Sequence, residues 1–119
     1  FALVRGLGDV YKRQVWELFI REKTIRLTNN AKKLHQITTN LVKTSCQCEL
    51  LHFLEPQLTE EEIEITRRAR NLPIPVGRRN MQSEYRQATA FETLIGIWFS
   101  NDKSRLDDIL KLLEKEIKI

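Results

Sequence analysis

Apolar residues recur three or four positions apart through most of the sequence, and this spacing constrains the fold more than any other feature. It places the apolar side chains on one face of an α-helix. No run alternates between apolar and polar residues as a half-buried strand would. The pattern predicts an all-α bundle of five to seven helices.

Start and stop signals divide this pattern into helices. The first has one predicted buried stripe, the second begins near Ala31, and the third ends before Pro56. Thr59 begins a capping box with Glu62, in which a hydroxyl and a carboxylate each accept a free backbone N–H. The stripe of the first helix consists of Val15, Leu18, Phe19 and Ile25.

The helix that follows Thr59 is expected to reach about Arg70, with Ile63 as its clearest core residue. Pro73 and Pro75 exclude a helix between Asn71 and about Asn80. A long helix is predicted over roughly 82–100. Ser104 is expected to cap the last helix.

Composition limits the class of protein. A chain of 119 residues, 41% hydrophobic and with a net charge of +4, fits one globular domain. No stretch resembles a membrane span or a signal peptide, so a cytosolic protein is expected. The cysteines, Cys46 and Cys48, are one residue apart and do not suggest a disulfide scaffold.

The segment from Arg67 to Arg86 carries a local excess of positive charge, with six arginines against Glu84 alone and a net charge of +5. A proline-stiffened loop loses little entropy when its arginines bind phosphate oxygens. The alternative is a solvated basic surface with no ligand. The candidate anion-binding residues are Arg67, Arg68, Arg70, Asn71, Arg78, Arg79, Asn80 and Arg86.

Glu92 is a second candidate, because it interrupts an apolar run beside Phe91 and Leu94. A carboxylate this close to a core is costly to bury unless it pairs with a cation or a metal. The alternative places Glu92 on the polar edge of an amphipathic helix. A zinc site formed by the cysteines with His35 or His52 is disfavoured, because ligands at i and i+2 of a helix point to opposite sides.

Together these segments resemble the Mini-ribonuclease III family, the ribonuclease III catalytic domains that lack a separate double-stranded RNA-binding domain. The resemblance covers about residues 15–119, in unbroken order. Its most specific elements are the arginine-rich segment ending in Asn71 and the later helix that carries Phe91, Glu92 and Gly96. It also includes Lys33-Leu34-His35, Val42 through Gln47, Leu50-Leu51, the acidic run from Leu58 to Glu62, and Tyr85-Arg86.

This resemblance implies an all-helical homodimer of the ribonuclease III catalytic-domain type, truncated at its N-terminus. Such enzymes use Mg²⁺ to hydrolyse double-stranded RNA, here in the maturation of large-subunit (23S) ribosomal RNA. By resemblance Glu92 is a catalytic, metal-binding carboxylate, and Thr89 stands where longer relatives carry a further aspartate. The arginine-rich segment would contact the RNA backbone.

The sequence departs from the family at its N-terminal end. Family members carry Gly-Asp-Ala before this first helix, with the aspartate as the other catalytic carboxylate, at the place of Lys12-Arg13-Gln14 here. Asp9 lies four residues too early. Glu17, four residues after Arg13, shares its helix face and is a further candidate.

The string from Leu3 to Gln14 resembles translated sequencing-adapter sequence, so residues 1–14 are expected to be non-native and 15–119 to form the catalytic domain. The natural protein would then begin earlier, with another helix. The chain as written is expected to be impaired, because Arg13 brings a positive charge to a cation site. The alternative functions are a non-catalytic helical RNA-binding protein and a helical protein–protein adaptor.

Overall fold

A computed structural model describes residues 8–72 and 82–117, with side chains described from residues 14–72 and 83–117. Over these residues every regular element is a helix and none is a strand, which confirms the predicted all-α class. The elements are α1 (Gly8–Thr24), α2 (Ala31–Val42), α3 (Thr44–Leu54), a 3₁₀ turn (Glu55–Gln57), α4 (Glu60–Arg70), α5 (Gln82–Asn101) and α6 (Lys103–Ile117). The predicted helix boundaries within these ranges agree to within a few residues.

Helix α5 lies at the centre of the bundle. Helices α1, α3, α4 and α6 all pack against it, while α2 packs on α1 and α3. Its middle is apolar on nearly every side, as expected for a helix surrounded by neighbours. The core joins Trp16 and Ile20 of α1 to Phe91 and Leu94 of α5, with Leu51, Leu54, Ile95, Ile109 and Leu113 around them.

The predicted stripe of α1 is wrong in part. Leu18 and Ile25 are 56% and 62% exposed, whereas Trp16, Ile20 and Thr24 are completely buried. The buried set has an unbroken spacing of four, and Thr24 is accommodated because its hydroxyl donates to the Ile20 carbonyl at 2.9 Å. The buried ring of Trp16 determines which face of α1 points into the core, and Leu18 lies on another side of that helix.

The predicted core residue of α4 is also wrong, although the capping box is confirmed. Ile63 is 48% exposed, and the inward face of α4 carries Glu62, Ile65, Thr66 and Ala69. Those positions follow the spacing i, i+3, i+4, i+7 from Glu62. The buried carboxylate therefore sets which face of the helix points inward.

Glu62 is buried because three helices supply its hydrogen-bond donors. Its Oε1 accepts from the Thr59 backbone N–H at 2.9 Å and from Arg105 Nη2 at 2.8 Å. Its Oε2 accepts from Trp98 Nε1 at 2.8 Å and from Arg105 Nε at 3.1 Å. Burial raises the carboxyl pKa, but the hydrogen bonds from Arg105, Thr59 and Trp98 together outweigh that effect and hold the pKa of Glu62 below its usual range.

Ser104 is not the cap of the last helix. Asp102 separates α5 from α6, and its Oδ1 accepts the Arg105 backbone N–H at 3.1 Å, so Asp102 is the N-cap. The two helices are joined by this single residue. The apolar spacing located the helix correctly but could not place its first turn.

Candidate functional site

Glu92 lies at the seam between α3 and α5. Its neighbours Phe91 and Thr93 are completely buried, and Glu92 itself is half-buried. Its Oε2 accepts a hydrogen bond from Gln47 Nε2 of α3 at 3.3 Å. The carboxylate is therefore held by a neighbouring helix and does not simply extend from a polar helix edge.

Helix α1 reaches the same region of α5. The rings of Trp16 and Phe91 meet edge to face with centroids 4.9 Å apart, and Trp16 Nε1 donates to the Leu41 carbonyl at 3.1 Å. Position 13 lies three residues before Trp16, so by helical spacing the two positions share a face of α1. Position 13 therefore lies in the helical turn before Trp16, and Trp16 packs on Phe91, the neighbour of Glu92.

Two acidic residues of α1 lie one helical turn from position 13. Asp9 lies four residues before it and Glu17 four residues after it, each about 6 Å away along the helix axis. Glu17 is half-buried. Thr89, one turn before Glu92 and Thr93, supplies no acid, and its carbonyl accepts from the Thr93 hydroxyl at 2.7 Å.

These donors do not complete a two-carboxylate metal site in the chain as written. Mg²⁺ prefers carboxylate oxygens, which Glu92 provides, but position 13 carries an arginine that stays protonated. Among the described side chains, those of residues 14–72 and 83–117, no group of three acidic, histidine or cysteine residues is suitably placed to hold a metal.

The exposed arginines of α4 are paired within their own helix. Glu64 accepts from Arg67 Nε at 2.9 Å and from Arg68 Nε at 3.1 Å. Hydrogen bonds from these two arginines lower the pKa of Glu64 to about 2, so its carboxylate is ionised at neutral pH. Glu64 therefore offsets part of the positive charge that the residue count assigns to this surface.

Arg70 and Arg86 tie the end of α4 to the beginning of α5. Arg86 Nη1 donates to the carbonyls of Arg70 and of Leu72, the latter at 3.4 Å. Arg70 Nη1 donates to Gln87 Oε1 at 3.3 Å. Both side chains are half-buried, and they hold the end of α4 against the beginning of α5.

Asn71 is exposed and is the C-cap of α4, where its N–H donates to the Arg68 carbonyl at 3.2 Å. Arg78, Arg79 and Asn80 lie outside the described residues. The structure therefore brings Arg67, Arg68, Arg70, Asn71 and Arg86 to one end of the α4–α5 pair.

The two thiols are free and half-buried. Burial raises the pKa of both, and Cys48 Sγ donates to the Glu84 carbonyl at 3.2 Å. His52 is exposed and lies 3.6 Å from a carboxylate oxygen of Glu55. These side chains lie along α3 and do not come together at one point.

Sequence reasoning missed two residues of this region. Glu64 could have been found, because an acid three and four positions before Arg67 and Arg68 is the usual arrangement for ion pairs on a helix. Gln47 gave no signal, since its contact with Glu92 joins residues 45 positions apart. Only the packing of α3 on α5 reveals it.

Comparisons with known proteins identify the family. A ribonuclease III domain family model matches residues 7–103. Mini-ribonuclease 3 of Gloeobacter violaceus is 40% identical over 109 residues, which are 92% of this chain and 78% of that protein. Mini-ribonuclease 3 of Clostridium tetani is 36% identical over 111 residues, covering 90% of this chain and 71% of that protein.

A crystal structure of a protein from Fusobacterium nucleatum has a similar fold, with a TM-score of 0.77 and 26% sequence identity. The match covers 90% of this chain and 88% of that one. Among the described residues, no helix is long and apolar enough to cross a membrane. From its sequence relatives and its fold, the chain belongs to the ribonuclease III domain family of endoribonucleases, and within that family to the Mini-ribonuclease III group.

Proposed function

We propose that this protein is a Mg²⁺-dependent endoribonuclease that cleaves double-stranded RNA, with Glu92 as a catalytic, metal-binding carboxylate. The observation that carries the proposal is the placement of Glu92. It is a half-buried carboxylate in the α3–α5 seam, held by Gln47 and next to the α1 turn where the family carries its other acid. A bound Mg²⁺ would activate water and stabilise charge on the phosphate.

The arginine-rich surface would hold the RNA duplex. Arg67 and Arg68 are exposed on α4 and can reach phosphate oxygens if they exchange Glu64 for RNA. Arg70 and Arg86 join the end of α4 to the beginning of α5, and Asn71 adds a polar side chain at the end of α4. Arg78, Arg79 and Asn80 belong to the sequence between these two helices and would add further contacts. These contacts suit the backbone and 2′-OH groups of an A-form duplex, whose deep groove hides the bases.

The second carboxylate of the site belongs, in this proposal, to position 13. Asp9 is one turn away and cannot replace it without a shift of the whole helix. We propose that residues 1–14 are non-native, that residues 15–119 form the catalytic domain, and that the natural segment supplies Gly-Asp-Ala in place of Lys12-Arg13-Gln14. The chain as written is then impaired in cleavage while it keeps its RNA surface.

The proposed biological setting follows the family resemblance. The substrate would be a double-stranded segment of the large-subunit (23S) ribosomal RNA precursor, processed in the cytoplasm by a homodimer. Arg13 favours a second candidate for the chain as written, a non-catalytic helical RNA-binding protein. The two candidates share a binding surface and differ only in cleavage.

The test uses a variant with Lys12→Gly, Arg13→Asp and Gln14→Ala, incubated with duplex RNA and Mg²⁺. Cleavage is expected, and adding Glu92→Gln should abolish it, whereas the exposed carboxylate variant Glu116→Gln should not affect it. Cleavage that survives Glu92→Gln would refute the site assignment. Binding without cleavage in every variant would favour the RNA-binding protein.

A second measurement tests the surface. Replacing Arg67 and Arg68 by alanine should weaken RNA binding and reduce the slope of log K against log salt by about 1 to 2. An unchanged affinity and slope would exclude these arginines from the RNA contact. A chain that binds no RNA at all would favour the alternative of a helical protein–protein adaptor.

A further inference from the structure

Gln47 stands out among the polar residues of the core because it contacts the proposed catalytic carboxylate. It lies in the first turn of α3, is only 3% exposed, and donates from Nε2 both to Glu92 Oε2 at 3.3 Å and to the Val42 carbonyl at 3.2 Å. We propose that Gln47 is a positioning residue that fixes the orientation of the Glu92 carboxylate. The catalytic meaning of this role rests on the function proposed above.

The chemistry of its two partners fixes which way the Gln47 amide points. The Glu92 carboxylate and the Val42 carbonyl are both acceptors, so only the NH₂ group can face them. A flipped amide would place its own oxygen against two oxygens. One hydrogen goes to each partner, and the amide is therefore locked between α2 and α5.

The backbone at the joint between α2 and α3 holds Gln47 in place. Lys43 is extended, with φ −72° and ψ 157°, and ends α2. The Gln47 N–H donates to the Lys43 carbonyl at 3.2 Å as α3 begins. The last carbonyls of α2, which a helix cannot satisfy itself, accept from Trp16 and Gln47.

This arrangement links the site to three helices. Trp16 of α1 and Gln47 of α3 both donate to carbonyls at the end of α2. Trp16 also contacts Phe91 of α5, and Gln47 contacts the next residue, Glu92. A donor that binds one oxygen of Glu92 limits rotation of the carboxylate. A ligand or catalytic group whose orientation is fixed in this way keeps its productive geometry without reorganisation.

The first test measures the pKa of the Glu92 carboxyl by carbon-13 NMR in the metal-free chain. A donated hydrogen bond favours the ionised form, so Gln47→Met should raise the Glu92 pKa. Gln47→Glu keeps the size of the side chain but places an acid beside Glu92, and it should raise that pKa further. Thr38→Val is the control, because Thr38 is equally buried but lies in the neighbouring helix α2.

An unchanged Glu92 pKa in folded Gln47→Met and Gln47→Glu proteins would overturn the inference. So would an equal rise in Thr38→Val. If Gln47→Met fails to fold, Gln47→Leu takes its place, since the added charge of Gln47→Glu raises the Glu92 pKa with or without a positioning hydrogen bond. These readouts need neither RNA nor metal, so they stand or fall separately from the proposed activity.

The second test measures cleavage in the Arg13→Asp background. There Gln47→Met should lower kcat about 10- to 100-fold, with KM for duplex RNA within about threefold of the parent. Thr38→Val should leave kcat unchanged at a temperature where both variants are folded. A loss confined to KM, or an equal loss of kcat in the control, would contradict a positioning role. An inactive Arg13→Asp parent would refute the proposed function and leave the NMR result to judge Gln47.

Discussion

The Glu62→Gln substitution tests how the α4, α5 and α6 helices are held together. The carboxylate accepts two hydrogen bonds on each oxygen, from Thr59 and Arg105 on Oε1 and from Trp98 and Arg105 on Oε2. Glutamine replaces one carboxylate oxygen by an NH₂ group. In either orientation of the amide, two N–H donors then face this NH₂ group, which cannot accept their hydrogen bonds. The side chain is 9% exposed, and water cannot easily replace the lost acceptor.

The size of the effect follows from which donors are stranded. If the new NH₂ group takes the Oε2 place, the indole N–H of Trp98, 3% exposed, loses its acceptor. If it takes the Oε1 place, the Thr59 backbone N–H does, and either loss costs about 1 to 3 kcal/mol. The Arg105 side chain is 28% exposed and regains water, so its lost charge-assisted bonds add only about 1 kcal/mol. We expect a loss of about 3 kcal/mol and a fall in Tm of roughly 10 °C.

The stability lost on Glu62→Gln should depend on pH, and the direction of that dependence follows from the pKa of Glu62. Burial raises the Glu62 pKa, but the hydrogen bonds from Arg105, Thr59 and Trp98 lower it more, so the folded pKa lies below the usual 4.5. The carboxylate contributes its full stability above pH 4.5 and loses it as the pH falls through the folded pKa. The difference between the native chain and Glu62→Gln should therefore be full at pH 7 and shrink below pH 4.5.

Urea unfolding followed by circular dichroism at pH 7 and near pH 3 measures both quantities. Glu61→Gln, in the same helical turn but exposed, is the control and should change stability by less than about 0.5 kcal/mol. A Glu62→Gln variant as stable as the native chain at pH 7 would refute the reasoning. A difference that stays constant down to pH 3 would refute the part that rests on ionisation.

The remaining predictions concern the RNA surface, the loop and the last helix. Glu64→Gln should free the arginines of α4 and so tighten duplex RNA binding several-fold and steepen its salt dependence by about 1, which filter binding at several salt concentrations would show; weaker binding would contradict it. Arg86→Met should cost about 1 to 2 kcal/mol in urea unfolding, because it leaves the Arg70 and Leu72 carbonyls without their donor, and no loss would count against that role. Asp102→Ala should cost about 1 kcal/mol and Ser104→Ala almost nothing; the reverse order would show that the cap is misassigned.

Helix positions could be predicted from sequence because they depend on local signals. Apolar spacing, the capping box at Thr59 and the prolines each act within a few residues, and the described helices follow them. The inward faces were harder to predict. Ile63 is not in the core, because Glu62, the residue before it, faces inward and pairs with Arg105, 43 positions away. No local pattern contains that pairing.

The candidate site shows the same division. Glu92 could be proposed as a candidate because its helix carries a specific motif, and the arginines because they are concentrated in one segment. The roles of Gln47 and Arg86 depend on contacts between helices, which no spacing rule predicts. The departure at position 13 was visible in the sequence, since it is a matter of residue identity and register.

The central claim is that the site lacks one carboxylate at position 13 and is otherwise complete. The most direct measurement is the initial rate of duplex RNA cleavage, with Mg²⁺, by the chain as written, by Arg13→Asp and by Arg13→Ala. Arg13→Asp should raise the rate about 100-fold or more, and Arg13→Ala, which only removes the positive charge, should recover far less. Equal rates for the aspartate and alanine variants, or strong cleavage by the chain as written that is lost on Asp9→Asn, would contradict the claim.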